Sequence, residues 1–301
     1  MDFGKLSNVE RVDFSLPEMD PRSLALLGGQ PRSTRIARVG MPVWAQKRWV
    51  GTLYPKGTPA REFVGAYGKQ FGTIELNSTH YGIPDPANVD RWREAVPAEF
   101  RFCPKVLQEI SHRLGEAEAL RLLPGFCAAV SRLRPRLGVT FLQLPPSFSS
   151  RELPALRRFL EAVPSGFPLA VEFRHESWFT DGRLIEPAFD LLASSSVATV
   201  ITDVSGRRDV SHSTLTAPRV LIRFVGNLGH RSDAVRAAAW AERVSGWFAQ
   251  GLEDLYFFVH QPEDLGAPEL ANEFIRALNA RGQATAREVT LNGGSDQMSL
   301  L

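Results

Sequence analysis

Eight short apolar runs recur along this chain of 301 residues, and every adjacent pair but one is separated by a stretch of helical period. The runs lie at 35–40, 73–77, 100–106, 138–145, 169–174, 198–203, 220–226 and 255–261. Helical spacing fills 60–71, 84–97, 116–133, 151–163, 184–193, 234–250 and 270–280, as in Leu153, Leu156, Phe159 and Leu160 on one side of the fourth. The exception is a polar loop, 205–216, between the sixth and seventh runs. Strands that alternate with helices pair in parallel and take helices outside the sheet. Eight is the number that closes a (β/α)8 barrel, and the length suits one. The rival, an open doubly wound sheet, lacks its glycine-rich fingerprint after the first strand. The fold expected is therefore α/β, a single-domain TIM-type barrel over 34–282. An irregular N-terminal extension, 1–33, precedes it, and a loose polar tail, 283–301, follows. A loop at 43–55 carries Trp44, Trp49 and Tyr54, which either plug the core or line a pocket.

Composition removes several functional classes. A net charge of +2 is far from the clustered positive charge that nucleic-acid binding needs. No apolar run approaches the roughly 20 residues of a membrane span, and no leader pattern opens the chain, so a cytoplasmic protein is expected. Cys103 and Cys127 have no CxxC spacing and read as small buried hydrophobes.

In a barrel the chemistry sits at the carboxyl ends of the strands. Here those ends carry Glu75 with Asn77, Lys105, Gln143, Glu172 with Arg174, Asp203, Arg223, and His260 with Gln261. Glu75, Glu172 and Asp203 are the catalytic candidates for acid/base work. Lys105, Arg174 and Arg223 would hold an anionic group such as phosphate or carboxylate. Asn77, Gln143, His112 and His260 would add polar contacts, and Tyr81 and Trp178 would wall the pocket. Each has a plainer alternative. Glu172 and Arg174 satisfy one another as a buried ion pair, Asp203 bonds its own turn, Gln143 ties its loop, and Lys105 is a solvated rim lysine. A Schiff-base role for Lys105 would require a depressed pKa in a dry pocket. His80, His112, His175 and His260 with the three acids could form a divalent-metal cage, but no HExxH-type pair supports one, and no cofactor is assigned.

The motifs taken together resemble the YecE-like family, domain of unknown function 72. They are Tyr54-Pro55, Phe71-Gly-Thr-Ile-Glu-Leu-Asn-Ser-Thr-His-Tyr81 with Pro84, Trp92 and Pro97, Phe102 with Lys105, Ser111-His112, Phe141-Leu-Gln-Leu-Pro-Pro-Ser-Phe148, Val171-Glu-Phe-Arg-His-Glu-Ser-Trp178, Asp203, and Ile222-Arg-Phe224. The resemblance implies a TIM-type barrel and no established reaction. Two positions depart from the family's pattern. Val225 stands where an imidazole is usual after Arg-Phe, and His260-Gln261 replaces an asparagine pair. The functional expectation is a rim-pocket enzyme of hydrolase or isomerase type acting on a small anionic molecule. The alternative is a non-catalytic binding protein for a small anionic metabolite or a nucleic-acid fragment.

Overall fold

The apolar runs pair edge to edge, all in parallel, because each is followed by a crossover that returns the chain to the same end of the sheet. The computed structural model describes residues 4–264 and 266–291. Its strands are β1 (Ile36–Met41), β2 (Thr73–Leu76), β3 (Arg101–Pro104), β4 (Thr140–Gln143), β5 (Leu169–Glu172), a small antiparallel hairpin of β6 (Phe179–Thr180) and β7 (Arg183–Leu184), then β8 (Ala198–Asp203), β9 (Arg219–Val225) and β10 (Asp254–His260). The helices are α1 (Pro21–Leu27), α2 (Phe63–Gln70), α3 (Pro86–Ala95), α4 (Gln108–Ser111), α5 (Ala117–Ser131), α6 (Leu153–Ala162), α7 (Glu186–Ser194), α8 (Ser232–Gln250) and α9 (Ala267–Asn279).

Eight strands form one sheet in the order β3-β2-β1-β10-β9-β8-β5-β4. Its two ends meet. Phe102 bridges Leu137 and Lys105 bridges Phe141, with Gly138 N–H donating to Phe102 O at 2.7 Å and Val106 N–H to Phe141 O at 2.9 Å. The sheet is thereby a closed barrel, as the count of runs predicts. Cys103, Phe141, Ala170, Val200, Leu221 and Phe258 fill its interior, while Ile74, Val171, Ile222 and Phe257 face outward into the helix layer. Trp49 and Tyr54 are buried in that outer core, and Trp44 packs edge-on against Trp92 at 5.6 Å, so the loop aromatics plug the core. Both cysteines are free and buried. No helix of the described residues is long and apolar enough to cross a membrane.

β1 and β2 approach so closely at Gly40 that a Cβ there would lie 2.1 Å from Thr73 O. Gly40→Ala is therefore expected to cost about 1–3 kcal/mol, the usual penalty of overpacking, read as a lower urea midpoint with an unchanged slope.

The extension is more ordered than expected. Asp20 caps α1 by accepting from Arg22 N–H at 3.0 Å, Pro21 occupies the first turn, and Gly28 ends it at φ 86°. The Arg22 guanidinium lies 4.4 Å over the Phe189 ring of α7. On the other side, Trp247 of α8 donates its indole N–H to Met19 Sδ at 2.8 Å. From below, Leu215 N–H donates to Ser23 Oγ at 2.8 Å. The connection from β8 to β9 contains only a single 3-10 turn, Arg208–Val210, and α1 occupies the place its helix would take. The start of the tail is likewise not loose. Val289 N–H donates to Asn272 Oδ1 at 2.8 Å, Asn272 Nδ2 donates back to Val289 O at 2.8 Å, and Val289 is buried. Positions 1–3 and 292–301 of the two expected flanks lie outside the described residues.

Candidate functional site

Strand parity builds the site. Side chains two residues apart share a face, so two positions past each interior apolar residue is a residue at the barrel mouth. Cys103 leads to Lys105, Phe141 to Gln143, Ala170 to Glu172, Val200 to Thr202, Leu221 to Arg223 and Phe258 to His260. These side chains, with Glu75 and Arg174, are buried or nearly so. Most of them line a cleft of about 380 Å³ together with Asn77, Tyr81, Val225 and Asp264.

Arg223 is the hub. Its Nε and Nη2 donate to Glu75 Oε2 and Oε1, both at 3.0 Å, a bidentate fork that fits a carboxylate. Its Nη1 reaches Glu172 Oε2 at 3.2 Å. Glu172 also accepts from Arg174 Nε at 2.8 Å and from Gln143 Nε2 at 2.7 Å. Glu75 also accepts from Asn77 Nδ2 at 3.0 Å and faces His260 Nε2 at 2.9 Å. Burial would push both carboxyls up, but the charges and hydrogen bonds around them win. Arg223 and His260 hold Glu75 well below the usual range, and Arg174 and Arg223 hold Glu172 at about 2. Both are fixed anions at neutral pH. Because an ionised carboxylate only accepts hydrogen bonds, His260 must donate Nε2–H to Glu75. Its Nδ1 then carries the ring's free lone pair when the imidazole is neutral.

Two buried groups in the cleft have no partner among the described residues. The Lys105 side chain, 5% exposed, makes no hydrogen bond or ion pair, and burial followed by the Arg223 charge lowers its pKa to about 8. Thr202 Oγ1 is buried and unbonded on β8, separated from β3 by β4 and β5 around the ring. A buried polar group left unbonded is costly, so Thr202 Oγ1, in the same cleft as the unpaired Lys105 amine, marks where a ligand's polar atom would go.

Other expected site residues fall elsewhere. Asp203 does not face the mouth. It is one residue out of step with Thr202 and points into the helix layer, where it accepts from Arg236 Nε at 3.1 Å, Trp240 Nε1 at 2.8 Å and Arg208 Nη1 at 2.5 Å. Trp178 does not wall the pocket either. It is fully buried, stacks on Phe148 at 6.1 Å and donates to Phe148 O at 2.8 Å. His112 is exposed beside the mouth, its Nδ1 bonded to Gln108 Nε2 at 3.2 Å, and burial with the charge of Lys105 lowers its pKa. Tyr81 does line the cleft, 75% exposed. His80 bonds Val106 O through Nδ1 at 2.8 Å, and burial holds it neutral at a pKa of about 4. Val225 and His260 are register partners on β9 and β10. Gln261 ties the loop by accepting from Leu228 N–H at 3.1 Å. Among the described residues, no three His, Cys, Asp or Glu side chains stand close enough to hold a metal. Thr202 is not the last residue of β8, which runs on to Asp203, so strand ends alone do not point to it; counting two from Val200 does.

The family model "Protein of unknown function DUF72" matches residues 38–292. The UPF0759 protein YecE of Escherichia coli K12 is 32% identical over 252 residues, spanning 78% of this chain and 89% of that protein. The UPF0759 protein YunF of Bacillus subtilis 168 is 28% identical over 149 residues, 47% of this chain and 52% of that protein. A crystal structure of a DUF72 family protein from Enterococcus faecalis V583 superposes with a TM-score of 0.64 at 19% identity, covering 82% of this chain and 99% of that one. That likeness shows the shared fold.

Proposed function

The chain belongs to the DUF72 family, and from the chemistry of its barrel mouth we propose that it is an enzyme binding a small anionic substrate there, with Lys105 and His260 as the proton-transferring groups. One observation carries this reading. Arg174 and Arg223 are each matched by carboxylates, whereas the buried Lys105 is matched by none. Among the buried groups of the mouth, Lys105, Arg174 and Arg223 stand against Glu75 and Glu172. The exposed Lys5 and Glu263 and the half-buried Asp264 at its edge bring the lining as a whole to charge balance, so it is the local excess at Lys105, not a net charge, that favours an anion. Glu75 and Glu172, expected as the acid and base, are held too far below neutral pH to exchange protons readily. Their work is to fix Arg223, Arg174 and His260 in place. Glu75 orients His260 as a carboxylate orients an imidazole base, and His260 stands beside Val225, where the family pattern has an imidazole of its own.

Oxalate serves as the probe. Titration calorimetry is expected to show binding to the native chain and a loss of one to two orders of magnitude in Lys105→Met, since a hydrogen bond to a charged group is worth about 1.5–3 kcal/mol. Equal affinity in the two proteins, with circular dichroism unchanged, overturns the reading.

A further inference from the structure

We propose that Lys105 is a covalent nucleophile that condenses with the carbonyl carbon of a small aldehyde or ketone bearing an anionic group, of which a 2-oxo acid is the simplest. The inference rests on the mouth being an anion site, and it names the substrate class.

The choice of residue is the first argument. The chain has five lysines, at 5, 47, 56, 69 and 105. Four are exposed, and Lys105 alone is buried. Its charged neighbours in the mouth are arginines, the side chain ordinarily used for a buried cation because its planar fork suits carboxylates and it never loses its proton. Lys5 also lines the cleft, but on its exposed edge; at the buried mouth position where the cation has no carboxylate, the residue is the one of the two that can become a neutral nucleophile. A purely electrostatic anion clamp has no need of that property.

The surroundings are the second argument. No acceptor occupies the Lys105 amine, so its lone pair is available once a proton leaves. Burial and the Arg223 charge favour that loss, leaving about a tenth of the amine free at pH 7. The guanidinium groups of Arg174 and Arg223 keep their charge when the amine loses its own, and both line the cleft beside it, so the substrate's anionic group still meets cations there although each also binds a carboxylate. On a separate wall of the same cleft, the Thr202 hydroxyl is buried with no partner, a donor for a carbonyl or hydroxyl oxygen.

The step balances without an oxidant or reductant. Free Lys105 Nζ adds to the carbonyl carbon, forming the C–N bond while the carbonyl electron pair moves to oxygen and takes a proton. The carbinolamine nitrogen gives up a proton, for which His260 Nδ1 is the acceptor in the cleft. The hydroxyl takes that proton back from His260 and leaves as water while the nitrogen lone pair closes the C=N bond. The protonated imine then returns its remaining N–H proton to solvent, which supplied the one the carbonyl oxygen took. Amine and carbonyl have become imine and water.

The test is reductive trapping of the native chain with glyoxylate and cyanoborohydride at pH 7, read by intact mass and peptide mapping. One adduct per chain on Lys105, suppressed by excess oxalate, is the result expected. Lys105→Arg is expected to lose the adduct, and Lys69→Arg, at an exposed lysine away from the mouth, to keep it. Adducts spread over the exposed lysines, or none while oxalate still binds, overturn the covalent inference and leave the anion site standing. Absence of both oxalate binding and adduct overturns the two together.

Discussion

Arg223→Met is expected to lower stability by about 3–5 kcal/mol at pH 7, the cost of leaving buried charges without their partner. The guanidinium serves two carboxylates at once, Glu75 through both oxygens and Glu172 through Nη1. Without it, two buried anions face one another across the barrel mouth. The pH dependence of the Glu75 contribution should change sign with the substitution. In the native chain both folded-state pKa values are depressed, to about 2 for Glu172, below unfolded values near 4.5. Their contribution is present above pH ~4.5 and lost as pH falls through the folded values. In Arg223→Met Glu75 loses its main counter-charge, burial dominates there and its folded pKa rises, while Arg174 still holds Glu172 down, so the variant loses the Glu75 contribution as pH climbs above the unfolded value. Urea midpoints measured from pH 4 to 8 should therefore diverge towards neutrality. Parallel curves for the two proteins would show that Arg223 is not the counter-charge.

Asp203→Ala is expected to cost a similar amount, about 3–5 kcal/mol, and for a structural reason. Its carboxylate binds Arg236, which is 1% exposed, the Trp240 indole N–H at 2.8 Å and Arg208. Removing it strands a buried guanidinium whose other carboxylate contact is Asp233 at 3.4 Å. Because Asp203 is on the outer face of β8, oxalate affinity of the chain that remains folded should be unchanged. A variant of native stability with abolished binding would return Asp203 to the mouth. The two substitutions thus separate a carboxylate network that shapes the cleft from one that fastens the α8 helix to the barrel.

Most of the barrel is legible in the sequence because each strand is a short apolar run bounded by prolines, glycines or polar turns, and parity then brings Glu75, Lys105, Gln143, Glu172, Arg223 and His260 to one rim. The errors come from features shorter than a period. Asp203 is a single residue past Thr202, and one step on a strand reverses the face. Trp178 lies beyond the end of β5 in a 3-10 turn, Glu176–Trp178, where strand parity no longer applies and the indole swings into the core. The hairpin of β6 and β7 turns on Asp181-Gly182, both at positive φ, an Asp-Gly pair that is a recognised hairpin signal. The seven residues of α1 are too few to show helical periodicity, although Asp20-Pro21 at its start and Gly28 at its end are its punctuation. The unpaired state of Lys105 was not legible at all, because it depends on where the carboxylates of other strands commit themselves.

The place of α1 bears on how such a protein can be divided. The matched family region begins at residue 38, yet the helix ring between α7 and α8 is completed by residues that precede it. Pro17 O accepts from Arg243 Nη1 at 2.7 Å, Asp20 Oδ2 from Thr214 at 3.2 Å and Ser23 Oγ from Leu215 N–H. The stretch by which kinship is recognised thus leaves out residues that complete the helix ring, and a chain trimmed to it would lose the hydrogen bonds they make to α8 and to the β8–β9 connection.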